Sequence, residues 1–196
     1  MLRNKTASGY EIKIPPMFDN YMVAECIGRG SFSVVYKVQD LSSNKDYSAK
    51  VISMDDMKNQ EFADSVIDEI NILQKIYHPN IIKYINSFSI KNDQEFFVII
   101  TEFCSNGNLH DYLNMVGYLD KEDIGVIIKG LAEAIRYLHS NRIAHCDIKL
   151  NNILLDENYM PKLCDFNLAK DISTTEEITC GGTFLYSAPE IAEEGP

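Results

Sequence analysis

A chain of 196 residues, 45% hydrophobic and 24% charged, is long enough to bury a real core, because a chain near this size removes about 70% of its unfolded surface from water. No apolar run approaches the ~20 residues that a bilayer crossing needs, and the first twenty residues lack the unbroken apolar stretch of a signal peptide, so neither a membrane span nor export is expected. A formal charge of -11 argues against a nucleic-acid binder; Cys26, Cys104, Cys146, Cys164 and Cys180 show neither zinc-ligand spacing nor a disulfide framework, which fits a reducing intracellular compartment, cytoplasmic or nuclear.

Residues 1–20 are polar, carry Pro15-Pro16 and lack periodicity, and read as a tail that orders on contact or as a flexible lead-in. From Tyr21 the chain runs in short β-prone stretches, Val23 to Ile27, Ser33 to Val38 and Tyr47 to Ile52, with Asp40 to Lys45 as a polar turn. Phe62, Val66, Ile70, Leu73 and Tyr77 then recur at three- and four-residue intervals, which predicts a helix ended by His78-Pro79, with Glu69 beside its apolar stripe. Ile81 to Asn86 and Phe96 to Thr101 add two strands, the second behind the turn Lys91-Asn92-Asp93.

After Ser105-Asn106-Gly107 the character changes. Leu109 to Leu113 opens a short helix, and Ile124, Ile127, Ile128, Leu131, Ile135 and Leu138 mark a long amphipathic one behind Asp120 as N-cap. A strand-rich first part and a helix-rich second part, joined near Glu102 to Gly107, predict an α+β arrangement of two lobes with a cleft between them. The expected boundaries are a tail over 1–20 and one domain over 21–196, with lobes at 21–103 and 104–196.

The chemistry lies in an ordered series. Gly28-Arg29-Gly30-Ser31-Phe32-Ser33-Val34-Val35 continues into a strand and not into a helix, which suits a β-hairpin lid whose backbone N–H groups face phosphate oxygens rather than a dinucleotide fingerprint. Lys50 follows on the third strand, Glu69 on the helix, then His145-Cys146-Asp147, Lys149, Asn152, Asp165-Phe166-Asn167 and Ala188-Pro189-Glu190. Singly, each has a bland reading: a β-turn, a solvated lysine, an exposed helix charge, a turn aspartate. In order, they supply the groups that ATP phosphoryl transfer requires.

The series resembles the catalytic core of eukaryotic protein kinases of the serine/threonine type, over roughly Tyr21 to Pro196. The resemblance implies a bilobal α+β fold: an antiparallel sheet with one main helix, then a helical lobe that is incomplete here, since the chain stops six residues after Glu190. It implies that Asp147 orients or accepts the proton of the attacking hydroxyl, that Lys149 neutralises charge on the γ-phosphate, and that Asn152 and Asp165 ligate Mg2+. It implies an ATP-binding set of Ile27, Gly28, Arg29, Gly30, Ser31, Phe32, Ser33, Val34, Val35, Ala49, Lys50, Glu69, Thr101, Glu102, Cys104, Leu154 and Asp165, with Glu69 pairing Lys50 and Ala49 roofing the adenine.

Three positions depart from the family pattern. Ser33 replaces a glycine of the lid; Cys146 stands where an arginine commonly binds a phosphorylated loop, with Lys170 as a nearby cation; Asn167 replaces a glycine and tolerates positive φ. Thr174, Thr175 and Thr179 are candidate phosphorylation sites, Thr179 for an upstream kinase, and Thr183 belongs to the substrate-facing segment. Asn108 gives no reason to expect a basic-peptide preference. The expected activity is ATP- and Mg2+-dependent phosphorylation of protein Ser/Thr hydroxyls, in a kinase similar to NIMA-related or calcium/calmodulin-type members. The rival reading is a pseudokinase that binds nucleotide or acts as a scaffold.

Overall fold

The computed structural model describes residues 1–91, 94–173 and 182–186, grouped in two compact units. The first comprises Met1–Asp64 and Lys83–Phe103, the second Ser65–Ile82 and Cys104–Pro196. Asn92, Asp93, Thr174, Thr175, Thr179, Cys180 and Ala188-Pro189-Glu190 lie outside the described residues.

The first unit opens on a ribbon of β1 (Leu2–Lys5) and β2 (Glu11–Ile14), paired antiparallel from Leu2↔Ile14 to Lys5↔Glu11. The sequence predicts no strand here; the alternation Ile12, Ile14 is too short to stand out beside Pro15-Pro16, yet both isoleucines are fully buried. A six-stranded antiparallel sheet follows, in the order β3-β4-β5-β6-β8-β7, from β3 (Met17–Phe18), β4 (Tyr21–Arg29), β5 (Ser33–Asp40), β6 (Lys45–Ser53), β7 (Tyr84–Lys91) and β8 (Glu95–Glu102). The period-2 pleat sends Val34, Tyr36, Val38, Ala49, Val51, Phe96, Val98 and Ile100 into one core with Ile12 and Ile14. The polar turn after β5 is tied by the Asp40 carboxylate, which accepts hydrogen bonds from both Ser43 and Ser42 and is held at about 2 by them.

β7 differs from its prediction. The strand begins at Tyr84, and Ile81 instead makes an isolated bridge to Leu163 in the second unit. Asn86, Ser87 and Ser89 interrupt the apolar pattern of β7, and a register shift between Tyr84 and Asn86 breaks its alternation.

Helix α1 (Gln60–Lys75) ends three residues before His78 and buries Ala63, Val66, Ile70 and Leu73. Tyr77, expected on this stripe, lies beyond the helix and is 75% exposed. In the second unit α2 (Leu109–Val116) is capped by Asn108, whose side chain accepts from the Asp111 N–H, and Gly117 closes it at φ 84°. Asn108 thus has a local structural task. Helix α3 (Lys121–Ser140) starts at the predicted N-cap Asp120, which accepts from the N–H groups of Glu122 and Asp123.

The buried face of α3 is rotated from the predicted stripe: Ile127, Gly130, Ala134 and Leu138 are buried, whereas Ile124 and Ile128 are exposed. The small residues allow close approach. A Cβ on Gly130 would stand 2.7 Å from Pro161 Cγ and 2.8 Å from Asn80 Nδ2. Asn80 is buried and donates to the Pro161 carbonyl at 2.9 Å, so neither neighbour can yield. Gly130→Ala gains up to about 1 kcal/mol of helix propensity but overpacks a rigid contact at about 1–3 kcal/mol. Denaturant titration should therefore show a net loss of stability, and a more stable variant would mean that α3 can lift off Pro161.

Two short ribbons complete the second unit. β9 (Ile143–Ala144) pairs with β12 (Lys170–Asp171), and β10 (Ile153–Leu155) pairs with β11 (Pro161–Leu163). Among the described residues no helix is long and apolar enough to cross a membrane.

Candidate active site

In the first unit the glycine-rich segment is the tip of the β4–β5 hairpin. Gly28 pairs with Val35 and Arg29 with Val34, and the Gly30 N–H donates to the Ser33 carbonyl at 2.9 Å, closing a tight turn over Ser31 and Phe32. Ser33, in place of a third glycine, is itself buried. Its Oγ would meet a Cβ on Gly30 at 2.8 Å, so a side chain at residue 30 would have to displace that hydroxyl. Phe32 is half exposed and its ring lies 4.9 Å from that of Phe62. Ile27 is 43% exposed on the same hairpin.

Val35 pairs with Lys50, and Lys50 with Ile99, so the pleat puts these three on the sheet face opposite the Ile12–Ile14 core. Ala49 and Val34 correct the expected nucleotide set. Both are fully buried on the other face, packed with Tyr36 and Val51, and cannot share a site with Lys50. The residue on the Lys50 face one step earlier is Ser48, which pairs with Thr101. The alternation that separates Ala49 from Lys50 is readable in the sequence, and it points to Ser48. Glu102, paired with Tyr47, exchanges hydrogen bonds with Lys83: its carboxylate accepts from the Lys83 N–H at 2.8 Å and its own N–H donates to the Lys83 carbonyl at 2.9 Å.

In the second unit the two ribbons frame two loops. Residues 145–152 run from β9 to β10, and residues 164–169 from β11 to β12. Since β10 and β11 are antiparallel, Asn152 before one and Asp165 after the other come to the same end, and the Cys164 N–H donates to the Asn152 carbonyl at 2.9 Å. His145 is the pin between the loops. Its Nε2 bonds to the Cys164 carbonyl at 3.0 Å, Nδ1 accepts from the Asp147 N–H at 3.3 Å, and its ring meets that of fully buried Phe166 at 4.7 Å, edge to face. Burial pushes the His145 pKa down despite the Cys164 bond, so the ring is neutral, with the proton on Nε2.

Asp147 is buried and its carboxylate is the hub. Lys149 Nζ lies 2.7 Å from Oδ2; Asn152 Nδ2 donates to Oδ2 and to the Asp147 carbonyl, both at 2.9 Å; Thr183 Oγ1 donates to Oδ1 at 3.0 Å. Lys149 also donates to Thr183 Oγ1 at 3.0 Å. Burial alone would raise the Asp147 pKa, but the Lys149 and Thr183 bonds, the Lys149 charge and the Asn152 bond together outweigh it, so the group sits below the ordinary carboxylate range. Asp147, Lys149 and Asn152 are thus brought together as expected. Thr183 joins them across 36 residues, a contact that no local signal announces.

Asn152 commits its amide N–H groups to Asp147, which leaves Oδ1 as its oxygen donor, and Asp165 follows β11 at the same end of the ribbon. Oxygen donors of this kind suit a hard divalent cation. Among the described residues no group of three His, Cys, Asp or Glu side chains forms a metal cage. Asp165 itself takes the left-handed conformation at φ 62°, while Asn167 is exposed and has no positive φ. The turn therefore needs no glycine at residue 167, and the strain expected there falls on Asp165 instead.

Cys146 also has φ 62°, with its Sγ 3.8 Å from the Ala144 carbonyl, and Lys170 pairs with Ala144 across the ribbon. Cys26, Cys104 and Cys164 are free thiols. Cys104 is buried, and Leu154 lies in β10 bridged to Asn108. Glu69 on α1 is also buried, at 4% exposure.

The family model described as the protein kinase domain matches residues 21–196. The chain is 37% identical over 180 residues to serine/threonine-protein kinase fused of Drosophila melanogaster, covering 91% of this chain and 22% of that protein. It is 39% identical over 184 residues to serine/threonine-protein kinase TIO of Arabidopsis thaliana, covering 91% of this chain and 13% of the relative. A probable myosin light chain kinase of Dictyostelium discoideum is 37% identical over 180 residues, or 89% of this chain and 36% of that protein. The chain thus spans from about an eighth to about a third of the length of these relatives. By the match over residues 21–196 and the α+β architecture that carries it, the chain belongs to the protein kinase domain family.

Proposed function

We propose that this chain is a serine/threonine protein kinase domain that transfers the γ-phosphate of ATP to a protein hydroxyl. The observation that supports this most directly is the Asp147 carboxylate, ionised and aimed by Lys149, Asn152 and Thr183. An incoming Ser or Thr hydroxyl placed against Asp147 gives up its proton there as its oxygen attacks phosphorus. Lys149 carries a positive charge beside the same oxygens and offsets the negative charge that builds on the transferring group.

Asn152 Oδ1 and Asp165 are the residues that would hold Mg2+, which when bound neutralises phosphate charge. Lys50 would hold the α- and β-phosphates. The Gly28–Val35 hairpin would cover the phosphates and Ser48, Thr101 and Glu102 would line the base. Protein substrates and cytosolic or nuclear ATP place the activity inside the cell, with Thr179 as a site for an upstream kinase.

The test is transfer of labelled phosphate to a mixed Ser/Thr peptide library in Mg-ATP, read beside the melting temperature with and without nucleotide. Transfer is the expected result. A nucleotide-dependent rise in melting temperature without any transfer would replace the kinase reading by that of a nucleotide-binding scaffold.

A further inference from the structure

We infer that the N-terminal β1–β2 ribbon is a strap that holds the glycine-rich loop with its amides turned to the nucleotide side, so that Asn4, Ala7 and Ser8 are positioning residues for ATP. The inference rests on the nucleotide-binding role proposed for the Gly28–Val35 hairpin. The ribbon is first a rigid handle. Ile12 and Ile14 are fully buried in the sheet core, the Lys13 N–H donates to Gln94 Oε1 at 3.2 Å, and the Tyr10 hydroxyl accepts from Ser53 Oγ at 3.4 Å.

Its turn is internally locked. The Thr6 N–H donates to the Tyr10 carbonyl at 2.9 Å, the Gly9 N–H to the Thr6 carbonyl at 3.0 Å, and the Tyr10 N–H to Thr6 Oγ1 at 3.0 Å, with Gly9 at φ 92° where a side chain would be strained.

From this handle the turn reaches the lid at three consecutive residues. The Ala7 N–H donates to the Gly30 carbonyl at 2.8 Å, Ser8 Oγ donates to the Ser31 carbonyl, and the Arg29 guanidinium donates to Asn4 Oδ1 at 3.0 Å. Asn4 is in turn held by its Nδ2, which donates to the buried Tyr36 hydroxyl at 3.2 Å. The direction of these bonds matters. In a planar trans peptide the N–H points opposite to the C=O, and no peptide of the described chain is cis. With the Gly30 and Ser31 carbonyls turned to the ribbon, the N–H groups of Ser31 and Phe32 point away from it. The ribbon packs on the face of Ala49 and Val51, so those amides are turned toward the face that carries Lys50. A glycine-rich loop ordinarily loses entropy when it closes over phosphates; a strap that has already selected the loop conformation removes part of that cost.

The test uses the full chain carrying Asn4→Ala and Ser8→Ala together, which removes two of the three attachments and leaves Ile12 and Ile14 in place. Amide exchange at Ala7 and Gly30, melting temperature, ATP affinity, and the KM and kcat of peptide phosphorylation are measured against the unaltered protein. Exchange at both amides should quicken by about tenfold, with melting nearly unchanged, as expected for loss of about one net hydrogen bond. ATP affinity should fall about three- to tenfold, with KM for ATP rising in parallel and kcat held or raised; a merely structural ribbon would not move KM apart from kcat.

Unchanged exchange, or quickened exchange with unchanged ATP affinity, overturns the strap. If the unaltered protein binds no nucleotide, the kinase reading fails on its own, and the exchange rates at Ala7 and Gly30 still decide whether the ribbon holds the loop. Ala7→Pro, which deletes the N–H that meets Gly30, should move the exchange at Gly30 in the same direction.

Discussion

Asp147→Asn should lower kcat for peptide phosphorylation by about 10³-fold or more while ATP affinity changes less than about threefold. The substitution keeps the shape of the side chain and removes its charge and half of its acceptor capacity. In the native arrangement both carboxylate oxygens receive donors, Lys149 and Asn152 on Oδ2 and Thr183 on Oδ1. An amide cannot accept on both sides. One orientation sets its NH2 against the Lys149 ammonium and the Asn152 amide, and the other sets it against the Thr183 backbone N–H, which donates to Oδ1 at 3.3 Å. The group that should take the hydroxyl proton is then too weak a base, and the side chains that aim it are driven apart. Nucleotide contacts proposed for the sheet unit involve none of these atoms. Steady-state rates with a peptide substrate, beside ATP titration by calorimetry, separate the two effects, and a variant that retains more than a tenth of the rate would remove Asp147 from the role of base.

The hub around Asp147 was legible in the sequence to different depths. Asp147, Lys149 and Asn152 fall within six residues, so a local motif is enough to bring them together, and the spacing predicts the observed cluster. Thr183 enters across 36 residues, through a hydrogen bond that only the folded chain creates. The sheet shows the same contrast. The strands around Val34, Val51 and Val98 have a clear period of two and appear near their predicted limits. β7 does not, because Ser87 and Ser89 thin its apolar pattern, and β1–β2 rests on just two buried isoleucines.

Ala49 is instructive in a different way. Its small size suggested an adenine roof, but the pleat allots it to the core with Tyr36 and Val51, and face outranks size. Asp165 carries the same lesson for backbone strain: the residue type most tolerant of positive φ is Asn167, yet the turn puts φ 62° on its neighbour two places earlier.

Lys149→Met should reduce kcat by about 10²- to 10³-fold and move the acid limb of the pH–rate profile to higher pH, the second effect being the more diagnostic. In the native site burial pushes the Asp147 carboxyl up and the Lys149 hydrogen bond, the Thr183 bond and the Lys149 charge bring it below its ordinary value. Methionine fills most of the volume of the lysine stem but withdraws both its bond and its charge, so burial gains ground and the carboxyl rises. The base is then protonated over a wider acid range.

The same shift governs stability. A carboxyl held low in the folded state contributes stability that is present above its unfolded value of about 3.9 and is lost as pH falls through the lower folded value. Lys149→Met gives up that contribution, so at neutral pH the variant should be less stable, and its stability should fall less between pH 5 and pH 2. The loss should be about 1–3 kcal/mol, short of the 3–5 kcal/mol of a fully stranded buried charge, because Thr183 and Asn152 still bond to Asp147. Lys149→Arg keeps the charge, so it should leave the acid limb near its native place while perturbing the 3.0 Å bond to Thr183. If the acid limbs of all three proteins coincide, the carboxyl that limits the reaction at low pH is not that of Asp147.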